Sequence, residues 1–207
     1  MRSYQQYCGL ARGLDVIGDR WVLLIVRELL TGPRRYNELL DGLPGIATNL
    51  LADRLRTLQS HGLVATNDSE SYVLSERGES LRDVIFAIGR WAIPLMGSLH
   101  KGETFRGHWI VHPVSVLFPG VDASRPDVTV ELRCDDEPMT ICSTEGRVKV
   151  QPGHAAAPDL VLTGPPDVAI SLLAQRIGTD EAKAKGLTVT GDPFSLLSLR
   201  PGRIANG

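Results

Sequence analysis

The sequence predicts an α+β protein of two domains, the first mostly helical with one β-hairpin, the second an antiparallel sheet covered by helices. Three observations carry this. Apolar residues recur at helical spacing through the first 63 residues and again from about 76 to 99. A polar tip, Asn67 to Ser71, separates two short apolar runs between those stretches. From Val128 onward the period changes to two. The expected domains are residues 1–100 and 101–207.

Leu10, Leu14, Ile17 and Trp21 fall at i, i+4, i+7 and i+11, so the chain is helical from about residue 9. Gly18-Asp19 breaks this run, with Asp19 as the next N-cap. Trp21 to Val26 is apolar all round, the mark of a buried central helix, and Arg27 and Glu28 end its buried part. Thr31-Gly32-Pro33 stops it. Arg34 and Arg35 open the following helix, where cations oppose the helix dipole. A DNA phosphate held by the two guanidinium groups would offset that cost.

In that helix Tyr36, Leu39, Leu40 and Leu43 form one apolar face, and Gly42, Pro44 and Gly45 break the chain. Thr48 is placed to cap the next helix. There Leu51, Leu55 and Leu58 make the buried face. Asn49, Asp53, Arg56 and Ser60 lie opposite, flanked by Ala52 and Gln59. Gly62 stands where a helix ends on a left-handed residue. A short helix, a turn and a helix presenting Asn and Arg outward form a helix-turn-helix with chemistry suited to base edges in a major groove. Thr48, Asn49, Ala52 and Arg56 are the expected base contacts. Asp53 orients Arg56, and Arg54 bonds Asp53 or a phosphate. Val64 to Leu74 then gives the strand, tip and return strand of the winged variant.

Ser75 caps a long helix over 76–99, with Glu76 and Glu79 near its positive end and Pro94 kinking or ending it. Its main stripe runs from Leu81 to Leu95, and Phe86, Ile93 and Met96 add a second. So wide an apolar surface predicts a homodimer through Leu10, Leu14, Phe86, Ile93 and Met96, which suits paired recognition helices reading two half-sites.

Composition narrows the function classes. The net charge of −2 is not that of a nonspecific nucleic-acid coat. Residues 1–102 carry a net +1, and all of their cations but Lys101 are arginine, the side chain suited to forked phosphate and guanine contacts. Cys8, Cys134 and Cys142 form no C-x-x-C and are odd in number, which points to a reducing cytoplasm. Cys8, with Arg12 one turn on, is a candidate redox-sensing thiol; the plain alternative is a small buried apolar residue. No signal peptide or membrane-spanning run is read, so no membrane partner is expected. His108 and His112 are spaced i, i+4 but lack a third ligand, so no metal and no cofactor is expected. Neither G-x-S-x-G nor a Walker loop occurs, and an enzyme is not expected.

In the second half, residues 99–106 read as a linker, and 105–118 as either helix or strand. Val128, Val130, Leu132, Val148, Val150, Leu160 and Leu162 predict one apolar sheet face, with a last short strand at Leu187 and Val189. Helices over 166–178 and 192–199 are available to cover it.

The runs LDVIGDRWVLLIVRELLTGPRRYNELLDGLPGIATNLLADRLRTLQSHGLV (14–64) and YVLSERGESL (72–81), with Cys8 ahead of them, resemble the HxlR-type branch of the MarR-like winged-helix regulators. The resemblance implies cytoplasmic, dimeric, sequence-specific regulators of bacterial transcription, some sensing oxidants or electrophiles through an N-terminal cysteine. The wing tip departs from a DNA-reading wing in carrying Asp68 and Glu70 and no cation. Residues 159–199 resemble, more loosely, the sterol-carrier-protein-like fold. That implies an apolar tunnel for a small hydrophobic ligand able to adjust DNA affinity. The rival reading is a lipid or hydrophobic-ligand carrier whose winged helix serves protein contacts only.

Overall fold

The structure is a computed structural model that describes residues 3–111, 114, 118 and 121–199. The chain divides into two compact units, Met1–Ala87 and Ile88–Gly207.

The first unit begins with α1 (Gly9–Ile17), α2 (Val22–Leu29), α3 (Tyr36–Gly42) and α4 (Thr48–Ser60). Its core is built from Val22, Ile25, Val26 and Leu29 of α2, Leu39 of α3, and Leu51, Leu55 and Leu58 of α4. The central helix is not buried all round, however. Leu24 is exposed, whereas Glu28, expected at the end of the buried part, is enclosed and takes two hydrogen bonds from Arg27. Asp19 does not cap α2. Trp21 holds that place in a left-handed conformation, with the Arg20 guanidinium 5.6 Å from its ring centroid. Asp19 instead offers a main-chain carbonyl to the N–H of Val22 and its carboxylate to Arg54, 3.4 Å away.

The hairpin pairs β1 (Val64–Thr66) with β2 (Tyr72–Leu74) in antiparallel register. Arg34 adds a third partner that the sequence did not reveal: its N–H and C=O exchange bonds with Tyr72 at 3.0 and 2.8 Å. Ser75 caps as expected, its Oγ accepting from the N–H of Gly78 at 3.0 Å. The helix it opens is not continuous. A single turn, α5 (Glu76–Glu79), is followed after Ser80 and Leu81 by α6 (Arg82–Ala92), and Pro94 sits in a 3₁₀ turn over Ile93–Leu95. Proline lacks the N–H that would continue the α ladder.

In the second unit the ambiguous stretch begins as a 3₁₀ turn, Gly107–Ile110. Five strands follow: β3 (Val128–Arg133), β4 (Met139–Thr144), β5 (Arg147–Pro152), β6 (Leu160–Thr163) and β7 (Thr188–Gly191), in the spatial order β5-β4-β3-β6-β7. The sheet is mixed, which corrects the antiparallel expectation, because β6 runs parallel to β3. Tight turns make β3, β4 and β5 a meander, but residues 153–159 then cross to the far side of β3. Alternation reports which face a residue occupies and carries no information on strand direction.

The expected apolar face is present. Val130 stands opposite Ile141 and Leu160, and Leu132 opposite Met139 and Leu162. These residues share a core with Val168, Ala169, Leu172 and Leu173 of α7 (Pro166–Leu173) and Ala182 of α8 (Thr179–Ala184). The single helix expected over 166–178 therefore ends early, with Gln175 in a left-handed conformation, and residues 193–199 form 3₁₀ rather than α-helix. On the opposite sheet face Glu131 is fully buried, which its alternating position did not suggest. The 153–159 crossing covers it. His154 Nδ1 and the N–H of Ala155 meet its carboxylate at 2.7 and 3.0 Å, and Thr140 Oγ1 donates to the carbonyl of Gly153. Removal from water works to raise the Glu131 pKa, but the bonds from Arg133, His154 and Ala155 outweigh it and hold the value at about 2.

Candidate nucleic-acid interface

The helix-turn-helix is fixed by contacts at both ends of α4. At its start Thr48 is the first helical residue rather than the cap; Ala47 holds the cap position and supplies no side-chain acceptor. The carbonyl of Thr48 accepts a bond from the Tyr36 hydroxyl at 2.6 Å, which ties the beginning of α4 to the beginning of α3. Asn49 Oδ1 takes the N–H of Leu50, one of the donors the missing cap leaves open. At the other end Gly62 has φ +67, and the N–H of Leu63 reaches back to the carbonyl of Leu58. That is the closure a left-handed glycine permits.

Between these ends the burial follows the wheel. Leu51, Leu55 and Leu58 are enclosed, while Thr48, Asn49, Asp53, Arg56 and Ser60 are exposed and Ala52 is half-buried. The Arg56 side chain is 74% exposed and only loosely held, 3.5 Å from Asp53 and 3.4 Å from the Ala52 carbonyl. Arg54 differs in kind. It is 20% exposed and braced between Asp53 at 3.0 Å and Asp19 at 3.4 Å, so it joins the helix to the α1–α2 connection. Gln59 is also engaged, its Nε2 donating to Thr66 Oγ1 on the wing.

Arg35 occupies the N-cap position of α3, and its main-chain N–H donates to Glu38 Oε2 at 2.6 Å. Glu38 thus supplies the negative charge that this N-terminus favours. Arg34 lies one residue earlier, with Nη2 3.1 Å from Thr31 Oγ1. Both residues therefore lie at the start of α3. The wing tip is closed by Asn67, whose Oδ1 accepts from the N–H groups of Ser69 and Ser71, and it leaves Asp68 and Glu70 exposed.

Cys8 is exposed and stands at the N-cap position of α1. The N–H groups of Ala11, then of Leu10, lower its thiol pKa, so the helix terminus rather than the Arg12 charge favours the thiolate. Burial, with the Asp135 and Asp167 carboxylates, pushes the Cys134 thiol up to about 12. Of the histidine pair, His108 Nδ1 sits 2.6 Å from Glu137, and His112 lies outside the described residues. Among the described residues no group of three or more His, Cys, Asp or Glu is placed to hold a metal ion, and no helix is long and apolar enough to cross a membrane.

A short helix, a five-residue turn, a longer amphipathic second helix and a hairpin define a winged helix-turn-helix protein. Residues 16–98 match the family described as HxlR-like helix-turn-helix. An HTH-type transcriptional regulator of Bacillus subtilis, YvaP, is 32% identical over 87 residues, which cover 39% of this chain and 81% of that protein. The Synechocystis regulator sll1512 is 34% identical over a stretch covering 39% of this chain, which spans 64% of that relative's length. The quinone-bound structure of Bacillus subtilis YodB aligns at 31% identity, over 40% of this chain and 93% of that one, with a TM-score of 0.38. The chain belongs to the HxlR-like helix-turn-helix family of transcriptional regulators.

Proposed function

We propose that the protein is a homodimeric, sequence-specific DNA-binding regulator of transcription, acting in the cytoplasm. In this reading α4 enters the major groove, with Thr48, Asn49, Ala52 and Arg56 at base edges and Asp53 steering Arg56. Arg34 and Arg35 hold phosphate across the start of α3. Arg54 acts from behind, positioning α4 through Asp19. The observation that carries the reading is the division of α4: a buried leucine face and an exposed polar face whose guanidinium is almost unpartnered by protein.

Residues 1–100 would bind DNA and dimerise through Leu10, Leu14, Phe86, Ile93 and Met96. Exposure of Leu10, Leu14 and Met96 supports such a surface. Residues 101–207 would form a sterol-carrier-like domain that takes a small hydrophobic ligand and adjusts DNA affinity, the ligand favouring one arrangement of the dimer. Cys8 would serve as a redox-sensing thiol, supported by its exposure and lowered pKa.

The test is binding to DNA from upstream of the protein's own gene, against random DNA, across a salt series. A regulator binds the upstream fragment specifically and weakens steeply with salt. Equal affinity for both fragments, or no binding at low salt, would overturn the reading in favour of a hydrophobic-ligand carrier whose winged helix meets proteins.

A further inference from the structure

We propose that the effector site is the hollow between residues 95–105 and α7, and that it takes a small lipophilic amine as its ammonium cation; this rests on the ligand-modulated reading above. The hollow has a volume of about 290 Å³. That lies near the small end of ligand pockets, enough for a short chain or a single ring rather than a sterol. Leu95, Met96, Phe105 and Ile170 supply apolar wall, as a ligand tail requires. Ser98, His100, Glu103 and Asp167 supply the polar points, the last two its carboxylates, and among the described residues no lysine or arginine lines this hollow. Arg176 lines a smaller adjoining hollow of about 50 Å³, which shares Met96, Gly97, Asp167 and Ile170 with the first and has room for a water or two.

Each carboxylate accepts one main-chain N–H, Asp167 half-buried and Glu103 exposed. Asp167 Oδ2 accepts the N–H of Leu99 at 3.2 Å, and Glu103 Oε2 accepts that of His100 at 2.8 Å. Each keeps a second oxygen for a ligand donor. The negative field reaches beyond the hollow, since Asp167 is among the groups that raise the Cys134 thiol. A fatty acid, the ligand a carrier-like fold would first suggest, would bring a third carboxylate against these two. A protonated amine gains a charge-assisted hydrogen bond from the same pair while its tail leaves water.

The experiment is calorimetric titration of the full-length protein with n-octylammonium, octanol and octanoate, which share one chain length. Octylammonium should bind, octanol more weakly, and octanoate not at all. Asp167→Asn and Glu103→Gln keep a carbonyl oxygen for the backbone N–H, so each should lose roughly tenfold in octylammonium affinity with unchanged melting. Ile170→Trp, which fills the hollow, should abolish binding. Octanoate binding as tightly as octylammonium, full affinity in the two carboxylate variants, or no binding of octylammonium to the wild-type protein would overturn the proposal. The titration needs no DNA, so its failure leaves the DNA reading standing. Octylammonium binding that leaves DNA affinity unchanged would instead support the site and refute ligand modulation.

Discussion

Replacing Arg56 and Arg34 separately by alanine should produce two different defects. The Arg56 side chain lies on the solvent face of α4, with one carboxylate at 3.5 Å, so Arg56→Ala should change stability by no more than about 0.5 kcal/mol. Any larger loss in binding then belongs to DNA contact. A guanidinium paired with a guanine edge is worth about 1–3 kcal/mol, or roughly 5- to 150-fold, on the cognate site only. A base contact leaves the number of neutralised phosphates unchanged, so the salt slope should stay as it was. Arg34→Ala preserves the main-chain pair with Tyr72 and removes the side chain beyond Cβ, with its charge and its bond to Thr31. It should weaken all DNA alike and lower the logarithmic salt slope by about 0.9. Between 50 and 200 mM salt the mutant should therefore lose about 3.5-fold less affinity than the wild type. Fluorescence anisotropy of labelled upstream DNA, competed with random DNA at three salt concentrations, measures both quantities. If Arg56→Ala lost specific and random binding equally, or if Arg56 rather than Arg34 carried the change in slope, the assignment of α4 as the reading helix would be wrong.

Three further outcomes are expected. Glu131 has a pKa held at about 2 against an ordinary 4.5, so its carboxylate stabilises the fold above pH 4.5 and that contribution is lost as the pH falls toward 2. Glu131→Gln should cost about 1–3 kcal/mol near neutrality, and the gap from wild type should close on acidification; a gap constant with pH would show that the charge is irrelevant. Under limiting iodoacetamide Cys8 should be alkylated first and Cys134 last, as read by peptide mass, since one thiol is exposed and lowered and the other raised to about 12; the reverse order would refute the reactivity argument. Leu10→Glu with Leu14→Glu should move sedimentation from dimer to monomer and lower melting only by what dimer association supplies, Leu10 being 72% exposed within the single chain; an unaltered dimer would place the interface elsewhere.

Much of the first unit was legible because its information is local. Leu51, Leu55 and Leu58 repeat at helical spacing, Ser75 is followed by acidic residues, and Gly62 closes a helix. The errors fall where local pattern underdetermines structure. Thr48 and Asp19 each have a capping side chain, but the chain places both one or more residues away from the cap position. The break at Ser80 and Leu81 keeps Leu81 and Ile85 against the same core, so an apolar stripe cannot register it. The burial of Glu131 and the direction of β6 both depend on where residues 153–159 travel, and neither alternation nor turn chemistry encodes that path.

The two arginines of α4 show why composition alone could not sort the candidate site. Arg54 and Arg56 are two residues apart, about 200° around the helix, and share Asp53 unequally. Asp53 Oδ2 holds Arg54 at 3.0 Å, and that guanidinium is also met by Asp19, so its charge is answered within the protein. Asp53 Oδ1 lies 3.5 Å from Arg56, close enough to bias its direction across an exposed helix face. A contact of that kind is worth at most about 1 kcal/mol in water. A guanine edge therefore displaces it at little cost, whereas taking Arg54 would break two ion pairs and free α4 from the α1–α2 connection. Asp53 thus separates a positioning arginine from a reading one, and the separation follows from the acceptors each meets rather than from its residue type.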